Sequence, residues 1–227
     1  MASTPRPAQA AAYPRFVLAS SSPARKKLLE DAGVEFEIIV SAVDEDAALA
    51  AAQEAAFEAG LGNISPAQTA LLLAKAKALA VAQTPGAQGA YVLGCDSVFE
   101  FNGEAFGKPH TESKALERIT ALSGQSGQLH TGHWLVDCTA ERHQQASELR
   151  TATVHFDTLS PQEVSAYVAT GEPLWVAGSF TIDGLGAPFI SKIEGEFHTV
   201  VGLSLNALRA MLAQMNRSIT EFWKKRD

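Results

Sequence analysis

Cysteine is nearly missing: Cys95 and Cys138 are the only two in 227 residues. They are too few and too far apart for a disulfide framework or a four-ligand zinc site. Both stand in apolar runs, which predicts buried thiols. No apolar stretch approaches the roughly 20 residues a membrane span needs. The first dozen residues lack the basic start and apolar core of a secretory signal, so a cytoplasmic protein without a membrane partner is expected. A basic excess is also lacking. A net charge of -7 and a pI near 5.4 argue against nucleic acid, because a polyanion surface needs a basic face to release its counterions. The six histidines show no H-E-x-x-H or facing-ligand pattern and read as structural or surface residues. No internal repeat is apparent.

What is present is a globular composition, 46% hydrophobic, ample for a packed core. Phe16-Val17-Leu18-Ala19 reads as a buried strand entering the turn Ser20-Ser21-Ser22. Ser22-Pro23 is a strong helix start, since serine caps free amides and proline at the first helical position loses no hydrogen bond. With Arg25, Lys26 and Lys27 following, that helix end offers donors and positive charge to an anion, a phosphate above all. An ordinary capped surface helix would read the same way. Gly33 ends the helix, and Phe36–Val40 reads as a strand leading into Asp44-Glu45-Asp46. Three adjacent carboxylates repel one another unless solvated or bound to a cation.

Ala47 to Ala59 is helical in propensity until Gly60-Leu61-Gly62-Asn63 breaks it. Ser65-Pro66 starts a second capped helix reaching about Gln83. It carries Lys75 and Lys77, which lie on nearly opposite faces, so at most one can enter a given cleft. The pattern does not choose between them. Ala90 to Phe101 is a strongly apolar strand closed by the hairpin signal Asn102-Gly103. Asp96 inside it calls for a reason, because an unpaired carboxylate is costly to bury. Gly103 through Lys108 is one residue short of a Walker A loop and has Pro109 where a hydroxyl is required. Pro109 instead biases Lys108 toward an extended conformation.

A helix over Thr111–Leu122 follows, then the loop Ser123-Gly124-Gln125-Ser126-Gly127, which lacks nucleophile-elbow spacing. Strands at about 131–138 and 148–157 read as a hairpin, and Ser160-Pro161-Gln162-Glu163 is a capping box. The apolar run Trp175–Ile190 is interrupted by glycines and by Asp183. A bulged strand, or close approach of a flat ligand, would explain it. A strand near 190–193 and a helix from about Leu203 to Met215 complete the chain.

Read in order, Leu18-Ala19-Ser20-Ser21-Ser22-Pro23-Ala24-Arg25, Asp44-Glu45, Ala74-Lys75-Ala76-Lys77-Ala78, Gly94-Cys95-Asp96-Ser97, Gly107-Lys108-Pro109, Leu122-Ser123-Gly124 and Ala177-Gly178-Ser179-Phe180 resemble the Maf family of nucleoside triphosphate pyrophosphatases. The resemblance implies an α/β fold of the inosine-triphosphatase-like type, a mixed sheet flanked by helices, with two lobes around a central cleft. One such domain would occupy 15–217, between a disordered tail over 1–14 and a C-terminal tail over 218–227. It further implies hydrolysis of a nucleoside triphosphate, including modified or non-standard ones, between the α and β phosphates. Carried over, Ser20, Ser22 and Arg25 would grip phosphate, while Lys77 and Lys108 would neutralise the triphosphate. Glu45 and Asp96 would hold a divalent cation, Mg²⁺ or Mn²⁺, and Asp96 would also orient or deprotonate water. The partner is the nucleotide itself, with a second copy of the chain left open. The alternative is a non-catalytic nucleotide-binding regulator of septum formation.

Three departures stand out. Ala24 occupies the place of a first arginine, weakening phosphate binding unless Lys26 or Lys27 compensates. The Ala47–Ser65 segment is longer than usual and could form a lid. Asp183 stands where the thymidine- and uridine-triphosphate branch has glutamine and the 7-methylguanosine-triphosphate branch has glutamate. As an acceptor-only group, a carboxylate suits the adjacent N1–H and 2-amino donors of guanine; the alternative is that Asp183 binds a metal or caps a turn and never meets the base.

Overall fold

The structure is a computed structural model that describes residues 14–141 and 143–224. The tail expected over 1–14 lies outside the described residues except for Pro14. The sheet is mixed and seven-stranded, ordered β2-β1-β3-β5-β6-β7, with β4 on the free part of β3. Its strands are β1 (Arg15–Leu18), β2 (Glu37–Ile38), β3 (Ala90–Phe101), β4 (Glu104–Phe106), β5 (Ser126–Asp137), β6 (Gln144–Phe156) and β7 (Ile190–Glu194). β1 runs parallel to β2 and β3, and the other pairings are antiparallel. The helices are α1 (Pro23–Asp31), α2 (Glu45–Glu58), α3 (Pro66–Ala82), α4 (Glu112–Leu122), α5 (Pro161–Ala169), α6 (Phe197–Val201) and α7 (Leu205–Gln214). This is the α/β mixed sheet with flanking helices implied by the resemblance.

The serine signals act as physical caps. Ser22, Ser65 and Ser160 each accept a bond from the amide three residues on, with proline just inside the helix. Such a cap contributes about 1 kcal/mol. Successive residues of a strand face opposite sides, and both sides of β1 are covered. Phe16 and Leu18 join Tyr91, Leu93, Leu208 and Met211 in one cluster; Val17 and Ala19 join Val92, Ala78 and Val81 in another. Farther along, Phe99 and Phe101 leave these clusters for a third, with Leu122, Phe156 and Phe180. The two halves of the molecule thus share β3, and Asp96-Ser97 falls where one core gives way to the next.

The helix α3 lies unusually close to the sheet. A Cβ built on Gly94 of β3 would stand 2.2 Å from the Ala74 carbonyl oxygen, and one on Gly132 of β5 would stand 2.4 Å from that of Ala70. Glycine at both points lets helix and strand backbones touch.

Several boundaries differ from expectation. The strand expected over Phe36–Val40 shrinks to two residues, because Ile38 and Val40 have no layer over them and remain 43% and 59% exposed. The loop expected over 123–127 is half strand, since β5 begins at Ser126 and pairs along its whole length with β6. The glycine-rich run after Trp175 is a series of short 3-10 turns rather than a bulged strand. Within it Gly178 and Ser179 both adopt positive φ. The last expected helix starts two residues later, after the separate short α6. The C-terminal tail expected from 218 is anchored to the core through Phe222 in its described portion. Phe222 is 2% exposed, packs edge-on against Phe16 and Tyr91, and is held by a bridge from Trp223 to Val34.

Candidate active site

Two consecutive residues of β3 organise the site because they face opposite ways. Gly94 lies against α3, so Asp96, two residues on, faces α3 as well. There its Oδ1 accepts from Lys77 Nζ at 2.6 Å. Ser97 points to the other face, where its Oγ accepts from Arg25 of α1 at 3.1 Å. The helix periodicity that leaves Lys77 in this junction turns Lys75 outward, where its ammonium lies over the Trp134 ring at 5.0 Å. Both Lys77 and Asp96 side chains are only 12% exposed.

Lys77 carries a second acid. Its Nζ meets Glu45 Oε1 at 2.9 Å. The three acids at the start of α2 therefore divide their work: Asp44 caps the helix through the Ala47 amide, Glu45 turns inward to Lys77, and Asp46 stays exposed. Burial pushes the Asp96 carboxyl above its ordinary range, while the Lys77 and Arg25 charges act in the other direction. The adjacent Cys95 is fully buried, and burial raises its thiol to about 12, so it is inert as a nucleophile. Cys138 is likewise a buried free thiol.

Arg25 is fixed at every nitrogen. Nε donates to the Gly202 carbonyl at 2.7 Å, one terminal nitrogen to Ser20 Oγ at 3.2 Å, and the other to Ser97 Oγ. Ser20 Oγ also accepts from the Ser22 amide. With two N–H groups on its oxygen, the Ser20 hydroxyl has its own proton left to donate. Thr131 Oγ1 donates to the Thr199 carbonyl at 2.8 Å, so it accepts the Ser97 hydroxyl proton at 2.9 Å. The result is a directed chain from guanidinium to carbonyl that holds the α1 amino end against β3. Gly202 has φ 120°, and a Cβ there would stand 3.3 Å from Arg25 Nε; a larger residue would crowd the guanidinium.

Ser20, Ser22, Arg25, Lys77, Glu45 and Asp96 are thus brought together around one strand junction. Two other expected residues make no hydrogen bond or ion pair with this cluster. Lys108 is exposed, two residues past β4. Because β4 runs antiparallel to β3 with Phe106 opposite Phe99, the chain leaves it in the direction of Ser97. Asp183 is exposed on the turn after Phe180. Its charge adds, behind those of Asp31 and Glu30, to the rise in the Lys27 pKa, which places it in the field of α1. Lys26 and Lys27, which follow Ala24, are exposed and pair with Glu30 and Asp31 along the helix.

Ser97, Thr131 and Gly202 had no role assigned from sequence. Ser97 adjoins Asp96 in a quoted motif, which is the one available signal. Thr131 and Gly202 enter only through contacts with remote segments.

Asp96 and Glu45 are hard oxygen donors aimed at one positive centre. No group of three or more histidine, cysteine or acidic side chains suited to a metal occurs among the described residues. Mg²⁺ is commonly bound through only one or two carboxylates, with other oxygen ligands and water completing its shell, and a pair of donors such as Asp96 and Glu45 fits that pattern. Among the described residues no helix is long and apolar enough to cross a membrane.

Residues 15–215 match the family described as Maf-like protein. A protein of Salinispora tropica named nucleoside triphosphate pyrophosphatase is 48% identical over 214 residues, spanning 93% of this chain and 88% of that protein. Proteins of the same name from Streptomyces avermitilis and Nostoc punctiforme are 45% and 42% identical, covering 94% and 93% of this chain and 96% and 98% of their own lengths.

Proposed function

The chain belongs to the Maf family, and from that premise we propose that it is a nucleoside triphosphate pyrophosphatase, releasing a nucleoside monophosphate and pyrophosphate. The observation that carries the proposal is the convergence of Arg25 and Ser20 with Lys77, Asp96 and Glu45 at the Asp96-Ser97 junction. The α1 amino end, the Ser20 hydroxyl and the immobilised Arg25 charge form an anion grip. Ser22 fixes the first turn of that helix. Lys77, and Lys108 from the β4 exit, supply further positive charge for the phosphates. Fixed charge of this kind stabilises the transition state without reorganising.

Asp96 is committed to Lys77 through one oxygen and receives no bond from a described residue at the other. That second oxygen orients the attacking water and takes its proton, a role that requires an ionised carboxylate within hydrogen-bond reach. The Lys77 charge acts against the upward push of burial on that carboxylate. A divalent cation, Mg²⁺ or Mn²⁺, would be held by Glu45 and Asp96 and when bound would withdraw charge from the phosphate oxygens. Asp183 selects the base. Its acceptor-only carboxylate favours guanine, with two neighbouring donors, over uracil or thymine, with one donor between acceptors.

The test is pyrophosphate release from GTP, 7-methyl-GTP, UTP and dTTP with Mg²⁺, in wild type and Asp96→Asn. The substitution is expected to lower kcat by roughly 10²–10⁴-fold. Activity that survives it removes Asp96 from its assigned role, and faster turnover of the pyrimidines overturns the base reading. No observation favours the non-catalytic alternative.

A further inference from the structure

Glu172, just after α5, has no cation partner among the described residues, yet its carboxylate is crowded with donors. Oε1 accepts from Tyr167 Oη at 2.9 Å, Thr181 Oγ1 at 2.5 Å and the Gly186 amide at 3.1 Å; Oε2 accepts from the Leu185 amide at 2.9 Å. Tyr167 Oη in turn accepts from the Thr181 amide at 3.1 Å. One acid therefore ties both ends of the 181–186 turn, ahead of Asp183 and behind it. The turn wraps the carboxylate closely. A Cβ on Gly184 would stand 2.6 Å from Glu172 Oε2, and one on Gly186 would stand 2.6 Å from Tyr167 Oη.

Burial acts to raise the Glu172 carboxyl, but the donors, Thr181 first, outweigh it and hold the group below its usual range. The ionised form is the one that can accept four bonds at once. Within 181–186 the sole charged side chain is Asp183, and it faces solvent. A turn fastened this firmly presents that one carboxylate in a fixed place.

We infer that Glu172 is a positioning residue for base selection, fixing the 181–186 turn so that Asp183 meets the base at a defined distance and angle. The inference rests on the reading of Asp183 given above. Glu172 touches neither the phosphate grip nor the Lys77–Asp96 pair, so its effect is confined to the base end of the substrate.

The test compares Glu172→Gln, Glu172→Asp, Thr181→Val and Asp183→Ala, measuring kcat and KM on GTP and UTP and the inhibition constant of pyrophosphate. Glutamine replaces one acceptor oxygen by an amino group that confronts an N–H or O–H donor. Such a loss corresponds to about tenfold or more in affinity. Glu172→Gln is thus expected to raise KM for GTP about tenfold, with kcat and the pyrophosphate constant unchanged. The GTP/UTP preference falls by the same factor. Glu172→Asp recovers part of it, and Thr181→Val, which deletes one donor and nearly preserves shape, moves it in the same direction but less. Adding Asp183→Ala to Glu172→Gln causes little further change.

An unchanged preference in both Glu172→Gln and Thr181→Val overturns the inference, as does an equal loss on both nucleotides with a weakened pyrophosphate constant. The two readings fail differently. If Asp183→Ala alone leaves the preference intact, the assignment of Asp183 falls. If Asp183→Ala abolishes the preference and Glu172→Gln does not, the role of Glu172 falls by itself.

Discussion

Replacing Gly94 by alanine puts one methyl group where the fold has no room. The added Cβ would lie 2.2 Å from the Ala74 carbonyl oxygen, 2.7 Å from the Ala78 amide nitrogen and 2.9 Å from the Ala78 Cβ. These obstacles are backbone and a methyl, with no flexible side chain to swing aside. Contacts of this kind do not fall below 3.0 Å, so α3 must retreat from β3 by about 0.8 Å or more. Lys77 rides on α3 and Asp96 on β3. Their 2.6 Å bond is then stretched to about 3.4 Å, at the edge of hydrogen bonding. Overpacking alone costs about 1–3 kcal/mol, and loosening a nearly buried ion pair brings the total to about 2–4 kcal/mol. In a chain of this size each kcal/mol corresponds to about 2–4 °C of melting temperature, so calorimetry should show a fall of about 5–15 °C. Initial rates of pyrophosphate release should fall with it. Gly107→Ala is the control for stability, since a Cβ there meets nothing within 4 Å. A Gly94→Ala protein that melts with wild type and turns over at the wild-type rate would refute the claim that this contact sets the Lys77–Asp96 pair.

Lys77→Met removes the closest cation from a carboxyl already raised by burial. The acid limb of the kcat/KM profile should therefore move to higher pH, and a stationary limb would show that another group titrates there. His133 is fully buried between β6 and the start of α7, its Nε2 accepting from the Ser204 amide at 2.8 Å and its Nδ1 donating to the Glu148 carbonyl at 3.2 Å. Burial lowers its pKa to about 4, below the unfolded value near 6.5. Between those pH values the unfolded chain binds the proton and the native chain does not, so stability is lost as pH falls from about 6.5 to 4, up to about 3 kcal/mol. Urea melts across that interval should be less steep in pH for His133→Gln, and equal slopes would rule out His133 as the source.

Local features were legible in the chain because they depend on neighbours within one turn. Ser22-Pro23, Ser65-Pro66 and Ser160-Pro161 announce their helix starts through the amides three residues on. Asn102-Gly103 announces its hairpin through a positive φ at both residues. Asp96 was conspicuous for a similar reason, as a lone acid in an apolar strand. The short β2 was not legible, because whether Ile38 and Val40 are covered depends on which segment packs over them. The burial of Phe222 has no local signature for the converse reason: its partners Phe16 and Tyr91 lie far away in sequence.

The chain by itself determined the composition, the capped helices and the set of acids, lysines and serines available for phosphate chemistry. Only packing decided which of them meet. Alternation along β3 sends Asp96 to α3 and Ser97 to α1, but the partners waiting there depend on how those helices seat on the sheet. Two glycines let α3 come near enough for Lys77 to reach Asp96 while Lys75 turns to Trp134. The hold of Glu172 on the 181–186 turn is of the same kind, since hydrogen bonds closed between separate segments leave no periodic trace in any one of them.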